Sequence, residues 1–234
     1  MATSPIDQIR SAVDEFGVTT AICYLADQAL ARLGGRFRVC DYDIMVQPIA
    51  DSDKAPANLT KSFTIREIEE GDPLVAQMPP PPAIIEARYR QDYVCIGGFQ
   101  KDDFIGYQWF AFGPYEEDEV RCQFLPTPKE TAVFDFDFYL LPEHRLGLGF
   151  VAMWDRANAM LRDRGIRYTT SRVSRFNSAS RKSHAHFGWR RIGRLVFVAG
   201  KRWQFMLGTL APYLHFSFSA DNRPRIRIDT HRGA

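Results

Sequence analysis

Cysteine is scarce in this 234-residue chain, and the four present, Cys23, Cys40, Cys95 and Cys122, stand far apart. With no Cys-x-x-Cys pair and no histidine at zinc-ligand spacing, neither a disulfide scaffold nor a metal site is expected. Long apolar runs are missing as well. The most apolar late stretch, residues 203–218, is interrupted by Gln204, Gly208, Pro212 and His215 and is too short to span a bilayer. The opening MATSPIDQIR carries an acid and no apolar segment, unlike a secretory signal. No internal repeat is visible. These absences point to a reduced, cytoplasmic protein without a membrane span.

What is present is ordinary for a globular chain: 45% hydrophobic and 25% charged residues, enough for a sizeable core and too apolar for disorder. The net charge is +2, but it is unevenly distributed. Residues 1–144 hold 12 basic and 24 acidic side chains, whereas residues 145–234 hold 18 basic and 4 acidic ones. Such a split suggests either an anionic ligand for the C-terminal part or two solvated faces of opposite sign.

Apolar periodicity predicts helix over residues 5–33, divided at Gly17 and stopped by Gly34-Gly35. Residues 36–49 read as extended and the polar stretch 50–62 as a loop or internal boundary. From Phe63 the elements become regular. The Pro79–Pro82 run stiffens a loop before a short helix, IIEARYR. A hairpin turns at Lys101-Asp102-Asp103, and the clearest strand follows at 131–142. Strict alternation there would put Phe134, Phe136 and Phe138 on one face, with Asp135, Asp137 and Tyr139 on the other. A helix from about Gly147 to Arg164 comes next, then a strand at 166–174, a helix capped by Asn177 or Ser178, and further strands. The order is that of a mixed α/β sheet in three layers, with an N-terminal helical extension holding one extended segment (1–61) ahead of the main domain (62–234).

The join between the strongest strand and the strongest helix is Pro142-Glu-His-Arg-Leu-Gly-Leu-Gly149. A glycine-bearing turn at a helix start leaves main-chain N–H groups free to meet phosphate, aided by the helix dipole. Gly147-Leu-Gly149-Phe-Val-Ala152 matches a dinucleotide fingerprint. However, the turn is too long and no acid occurs near Tyr168–Arg172, so the match is weak.

The same residues, Leu140-Leu-Pro142-Glu-His144-Arg145-Leu-Gly147-Leu-Gly149, resemble the strand–loop–helix of the GNAT superfamily of acyl-CoA N-acyltransferases. Asn177, His184 and Gly188-Trp189 resemble that family's later elements, and the resemblance covers about residues 63–200. It implies a GNAT-type three-layer fold and transfer of an acetyl or longer acyl group from acetyl-CoA or another acyl-CoA to a primary amine of a small molecule or peptide. On this resemblance, Phe138, Tyr139 and Leu140 would pair with the pantetheine arm. His144, Arg145, Leu146, Gly147, Leu148 and Gly149 would hold the pyrophosphate, with Asn177 and Ser180 on the pantetheine side. His144 stands where the family has Gln or Arg.

The chemistry sets its own needs. An ammonium must lose a proton before attacking a thioester, a developing oxyanion needs a fixed donor, and a leaving thiolate benefits from an acid. His184 is a candidate for that acid, although a packed helix histidine reads the same way. Asp137 and Asp135, two apart on a strand, are candidates for the base or for holding a cationic amine. Arg172, where relatives sometimes carry Glu, is a candidate for binding an acidic acceptor. No cysteine sits where a covalent nucleophile is needed, so direct transfer is expected.

Three other possibilities stand beside this one. The chain could be a non-catalytic acyl-CoA or protein-binding module. It could take its acyl group from an acyl carrier protein, or form a homodimer through its N-terminal helices. Arg223–Ile228 alternates basic and apolar residues, too little to argue nucleic-acid binding.

Overall fold

The computed structural model describes residues 4–32, 34, 36–52, 56, 61–145, 148–186, 188–219 and 221–232. Two compact units interleave along the chain. One comprises residues 48–115 and 126–170, the other residues 1–47, 116–125 and 171–234.

In the 48–170 unit, β2 (Phe63–Ile68), β3 (Val94–Gln100), β4 (Asp103–Ala111) and β7 (Ala132–Leu140) form an antiparallel set in the order β7-β4-β3-β2. Beyond β7, the first residues of β8 (Tyr168–Ser174) run parallel to it, making the sheet mixed. The helix Gly149–Asp163 (called α4 below) lies on one face, where Ala152, Met153, Ala157 and Leu161 are buried with Ile105, Phe110, Val133 and Leu140. Each such leucine or methionine, fully buried, stabilises by about 1.5–3 kcal/mol. Gly165 ends that helix with φ at 79°, a left-handed conformation that costs glycine little.

Short α3 (Pro82–Tyr89) covers the opposite face, with Tyr89 edge-on to Trp109 and Arg88 lying over Trp109 and Phe136. Helix, sheet and helix make the three layers expected from the element order.

The other unit opens with α1 (Pro5–Phe16) and α2 (Val18–Arg32), divided at Gly17, whose φ is 76°. Ala12, Phe16 and Ala21 form their buried seam. Then β1 (Phe37–Pro48), β9 (Arg190–Gly200), β10 (Gln204–Gly208) and β11 (Leu214–Ser217) pair in the order β11-β10-β9-β1, all antiparallel, with Ser171–Ser174 of β8 beside β1. Helix α5 (Ser178–His186) follows β8. A smaller sheet orders β12 (Arg225–Asp229), β6 (Gln123–Thr127) and β5 (Tyr115–Glu116).

A separate N-terminal extension ending at residue 61 does not describe this arrangement. β1 is an inner strand between β8 and β9, and its Tyr42, Ile44 and Val46 are at most 1% exposed. Its alternating apolar side chains line one buried face, Asp41 and Asp43 lie on the other, and β8 and β9 flank it on either side.

Part of the expected charge asymmetry also disappears into internal pairs. Asp41 and Asp43 of β1 bind Arg175 and Arg194, and Glu117 binds Arg172. Acids from the first half of the chain neutralise arginines of the second.

Candidate functional site

β7 and β8 pair only at Ala132↔Tyr168, Val133↔Thr169 and Phe134↔Thr170. β7 continues for six more residues, Asp135–Leu140, beyond the last of these pairs. Main-chain groups on that side of the strand are therefore outside the parallel ladder. This stretch includes Phe138, Tyr139 and Leu140, the positions assigned to the pantetheine arm.

The cause of the strand's altered course is a bulge. Asp137 has φ at 48°, a left-handed conformation uncommon for a residue with a Cβ. Register against β4 slips at the same place, between Tyr107 and Trp109. An extra residue in one strand reverses the alternation beyond it. Phe134 and Phe136 meet Tyr115, but Phe138 points to the other face and packs against Phe150 and Trp154. The three phenylalanines thus do not share a face, and neither do Asp135 and Asp137.

The two aspartates consequently have different chemistry. Asp135 is 3% exposed, and burial pushes its carboxyl up to about 8 against a weaker opposing hydrogen bond with Gln108. It is neutral at pH 7 and closed off from substrate, which removes it as a base. Asp137 accepts from Arg88 Nη1 at 2.5 Å and from Tyr107 Oη at 3.3 Å. Arg88 is itself only 5% exposed. Its positive charge, lodged against two aromatic rings, requires an anionic partner, and Asp137 provides it. Sequence reasoning missed Arg88. The available signal was its position three residues after buried Ile85, on the same face of a short helix.

After β7 the chain doubles back tightly. Leu141 N–H donates to Ile105 O and His144 N–H to Leu141 O, both at 2.9 Å. Arg145 Nε donates to Leu140 O at 3.0 Å, with its guanidinium 5.2 Å from the Tyr139 ring centre. A Cβ on Gly149 would lie 3.1 Å from His144 O, so the loop passes closely over the helix start. No side chain caps the first turn of α4 at Leu148. Uncapped N–H groups with a neighbouring guanidinium suit a pyrophosphate. Leu146 and Gly147, assigned to the same role, lie outside the described residues.

The remaining candidates belong to the other unit. Asn177 Oδ1 accepts from Ser180 N–H at 2.9 Å, serving as the cap of α5. His184 is half-buried, edge-on to Trp189. Its Nδ1 lies 2.7 Å from Ser180 O. A carbonyl only accepts, so Nδ1 carries the proton and Nε2 is left with a lone pair. Burial lowers the affinity of His184 for a second proton, outweighing the Ser180 bond. This favours the neutral imidazole, whereas the acid role expected needs the protonated form.

Arg172 is also placed differently from expectation. Its Nε and Nη2 donate to Glu117 at 2.8 and 2.6 Å, Nη2 is 3.3 Å from Glu119, and the guanidinium covers the Tyr42 ring. Glu117 has no exposed side-chain surface, so the guanidinium is committed to a structural pair and is not offered to an acidic acceptor. Arg172 and Asn177 nevertheless line the same cavity of about 600 Å³, together with Glu119 and Asp27. Burial raises the Glu119 carboxyl, but Arg172, the Tyr42 hydroxyl and Arg38 together outweigh it and hold the group below the usual carboxylate range. The cavity thus brings the Glu119 carboxylate and Asp27 together with the guanidinium groups of Arg172 and Arg38.

Among the described residues no group of three or more His, Cys, Asp or Glu side chains is placed to hold a metal ion, and no helix is long and apolar enough to cross a membrane. No family model and no curated protein sequence matches the chain.

Solved structures do resemble it. A conserved protein of unknown function from Staphylococcus epidermidis has 9% identity and a TM-score of 0.46, covering 73% of this chain and 64% of its own. A tandem GNAT protein from the clavulanic acid biosynthesis pathway has 15% identity and a TM-score of 0.46, covering 74% and 57%. A GCN5-related N-acetyltransferase from Sphaerobacter thermophilus has 13% identity and a TM-score of 0.43, covering 74% and 56%. The chain thus spans between about half and two thirds of the length of these structures. The latter two carry the name of the superfamily that the Leu140–Gly149 and Asn177–Trp189 motifs resemble.

Proposed function

We propose that the protein is an acyltransferase that moves an acetyl or longer acyl group from acyl-coenzyme A directly to a primary amine. The observation that carries this reading is the early end of the β7–β8 ladder, with the Asp137 bulge and an uncapped glycine helix start following on the same strand. Main-chain groups of Phe138 and Tyr139, beyond the end of the parallel ladder, suit the amides of a pantetheine arm. N–H groups around Leu148 and Gly149, with Arg145, suit the diphosphate.

The donor carbonyl then lies against a fixed strand whose N–H groups can stabilise the oxyanion. The amine nitrogen attacks the thioester carbonyl, the C–N bond forms, and the C–S bond breaks with the electron pair leaving on sulfur. A base or a chain of waters takes the proton from the ammonium before attack. The released thiolate collects a proton from water. Asp137 is engaged with Arg88 and Tyr107, so its role in this scheme is to hold the bulge.

The reading is tested by titrating the protein calorimetrically with acetyl-CoA and longer acyl-CoAs, then following thiol release with a panel of polyamines, amino sugars and lysyl peptides. Acylated carrier protein serves as a parallel donor. Heat on thioester addition and amine-dependent thiol release are expected. Silence with every thioester would overturn the reading.

A further inference from the structure

The β10–β11 end of the sheet carries a bare apolar face. One cross-strand row runs Asp41, Val196, Leu207, Leu214 through β1, β9, β10 and β11. Asp41 has no exposure beneath α2, whose Thr19 accepts from the Arg194 that grips Asp41, but Leu207 is 53% and Leu214 61% exposed. The neighbouring row ends in Phe205 and Phe216. Phe216 stacks on Trp203 and meets Phe218, which is 70% exposed. The helices thus cover the inner strands and stop short of the last two.

β11 is also the terminal strand of its sheet. An edge strand presents unpaired main-chain groups, and proteins ordinarily protect it with charge. Here residues 203–218 contain no Asp, Glu, Lys or Arg, in a chain where one residue in four is charged.

We infer that this face is the contact between two copies of the chain, their β11 edges antiparallel and their Phe216 and Leu214 side chains packed across a two-fold axis. Three observations favour a second copy over other occupants. An uncharged patch is complementary to itself, whereas a charged partner would leave its own groups unpaired. Two identical strands placed antiparallel close the contact symmetrically, leaving no free edge for a third. Leu207, Tyr213, Leu214, Phe216 and Phe218, each 44–70% exposed, offer on the order of 600 Å² per copy. Two copies then bury at most about 1,200 Å², the lower bound of stable interfaces. Lys201 and Arg202 border Trp203, so a lipid surface, which selects basic residues beside aromatics, is an outcome the test must separate. The inference is independent of the acyl-transfer reading.

The test is sedimentation velocity on the full chain from about 1 to about 100 µM, with Leu214→Glu, Phe216→Glu and Phe218→Glu measured alongside. The wild type is expected to dimerise in this range, and each variant to weaken the dimer at least tenfold while its circular dichroism stays unchanged. The Phe218 side chain lies outside the strand, so its variant remains informative should a strand variant fold poorly. A wild type monomeric throughout would overturn the inference. So would a dimer that all three variants leave intact, or a monomer that floats with phosphatidylcholine–phosphatidylglycerol vesicles.

Discussion

At the residue scale, the Arg88–Asp137 pair connects the core to the donor strand. Removing one partner of a buried ion pair typically costs about 3–5 kcal/mol. The Asp137 side chain is 26% exposed, so Arg88→Met is expected near the lower end, about 3 kcal/mol by denaturant unfolding. The double variant Arg88→Met with Asp137→Gly removes the stranded carboxylate and supplies a residue at ease with φ at 48°. It is expected to regain most of the acetyl-CoA affinity lost in Arg88→Met, measured by calorimetry. If affinity stays lost in the double variant, the pair acts on the donor by some route other than the bulge.

Asp135 gives a second expectation at this scale, with a definite sign. Burial lifts its folded-state carboxyl to about 8, against an ordinary aspartate value of 3.8. Between these values the folded protein binds the proton and the unfolded chain does not, so stability falls as pH rises from about 4 to about 8. Asp135→Asn removes that slope. The wild type should lose Tm between pH 5 and pH 8 by more than the variant does, as differential scanning calorimetry would record. Parallel curves would mean that the carboxyl is not held neutral.

At the element scale, the sheet is tuned by backbone approach as much as by side chains. A Cβ on Gly106 would lie 2.1 Å from Tyr139 O and 2.9 Å from the Leu140 Cα, both main-chain atoms with little freedom to yield. Gly106→Ala is therefore expected to push β7 away from β4 and to weaken acetyl-CoA binding at least tenfold. Gly113→Ala, which meets nothing within 4 Å, should leave affinity unchanged, and equal affinity in both variants would argue that β7's course is irrelevant to the donor.

The same element marks the boundary of what periodicity reveals. The strand at 131–142, the helix after it and the break at Gly17 were all legible, because apolar spacing and glycine report local geometry directly. The bulge was not. Phe134, Phe136 and Phe138 alternate without fault, and only the tertiary demand of buried Arg88 singles out Asp137 for the left-handed region. Arg172 misled for a related reason. Its partners Glu117 and Glu119 lie more than fifty residues earlier, where no spacing rule connects them. For His184, residue type alone could not give the tautomer, which follows only from the Ser180 carbonyl that its Nδ1 meets.

At the scale of the whole molecule, the chain crosses between its units repeatedly, and a division at residue 61 cuts through a working sheet. β1 stands between β8 and β9, pairing with β9 from Phe37↔Gly200 to Val46↔Arg190. Deleting it would expose both neighbours as edges and strand Arg175 and Arg194 without Asp41 and Asp43. It would also remove Tyr42, which carries the Arg172 guanidinium at 4.7 Å and donates to Glu119 at 2.6 Å. Uncompensated buried guanidinium groups cost several kcal/mol each, comparable to the whole stability of an ordinary domain, about 5–15 kcal/mol. The fragment 62–234, which holds both the Leu140–Gly149 and the Asn177–Trp189 motifs, is therefore expected not to fold alone. It should show no cooperative thermal transition and poorly dispersed amide resonances, whereas a chain beginning at residue 34, which keeps β1 but not α1 and α2, should melt cooperatively at a lower Tm than the full protein. A cooperative transition in the 62–234 fragment would mean that β1 is an accessory strand, and that the C-terminal arginines find other partners without it.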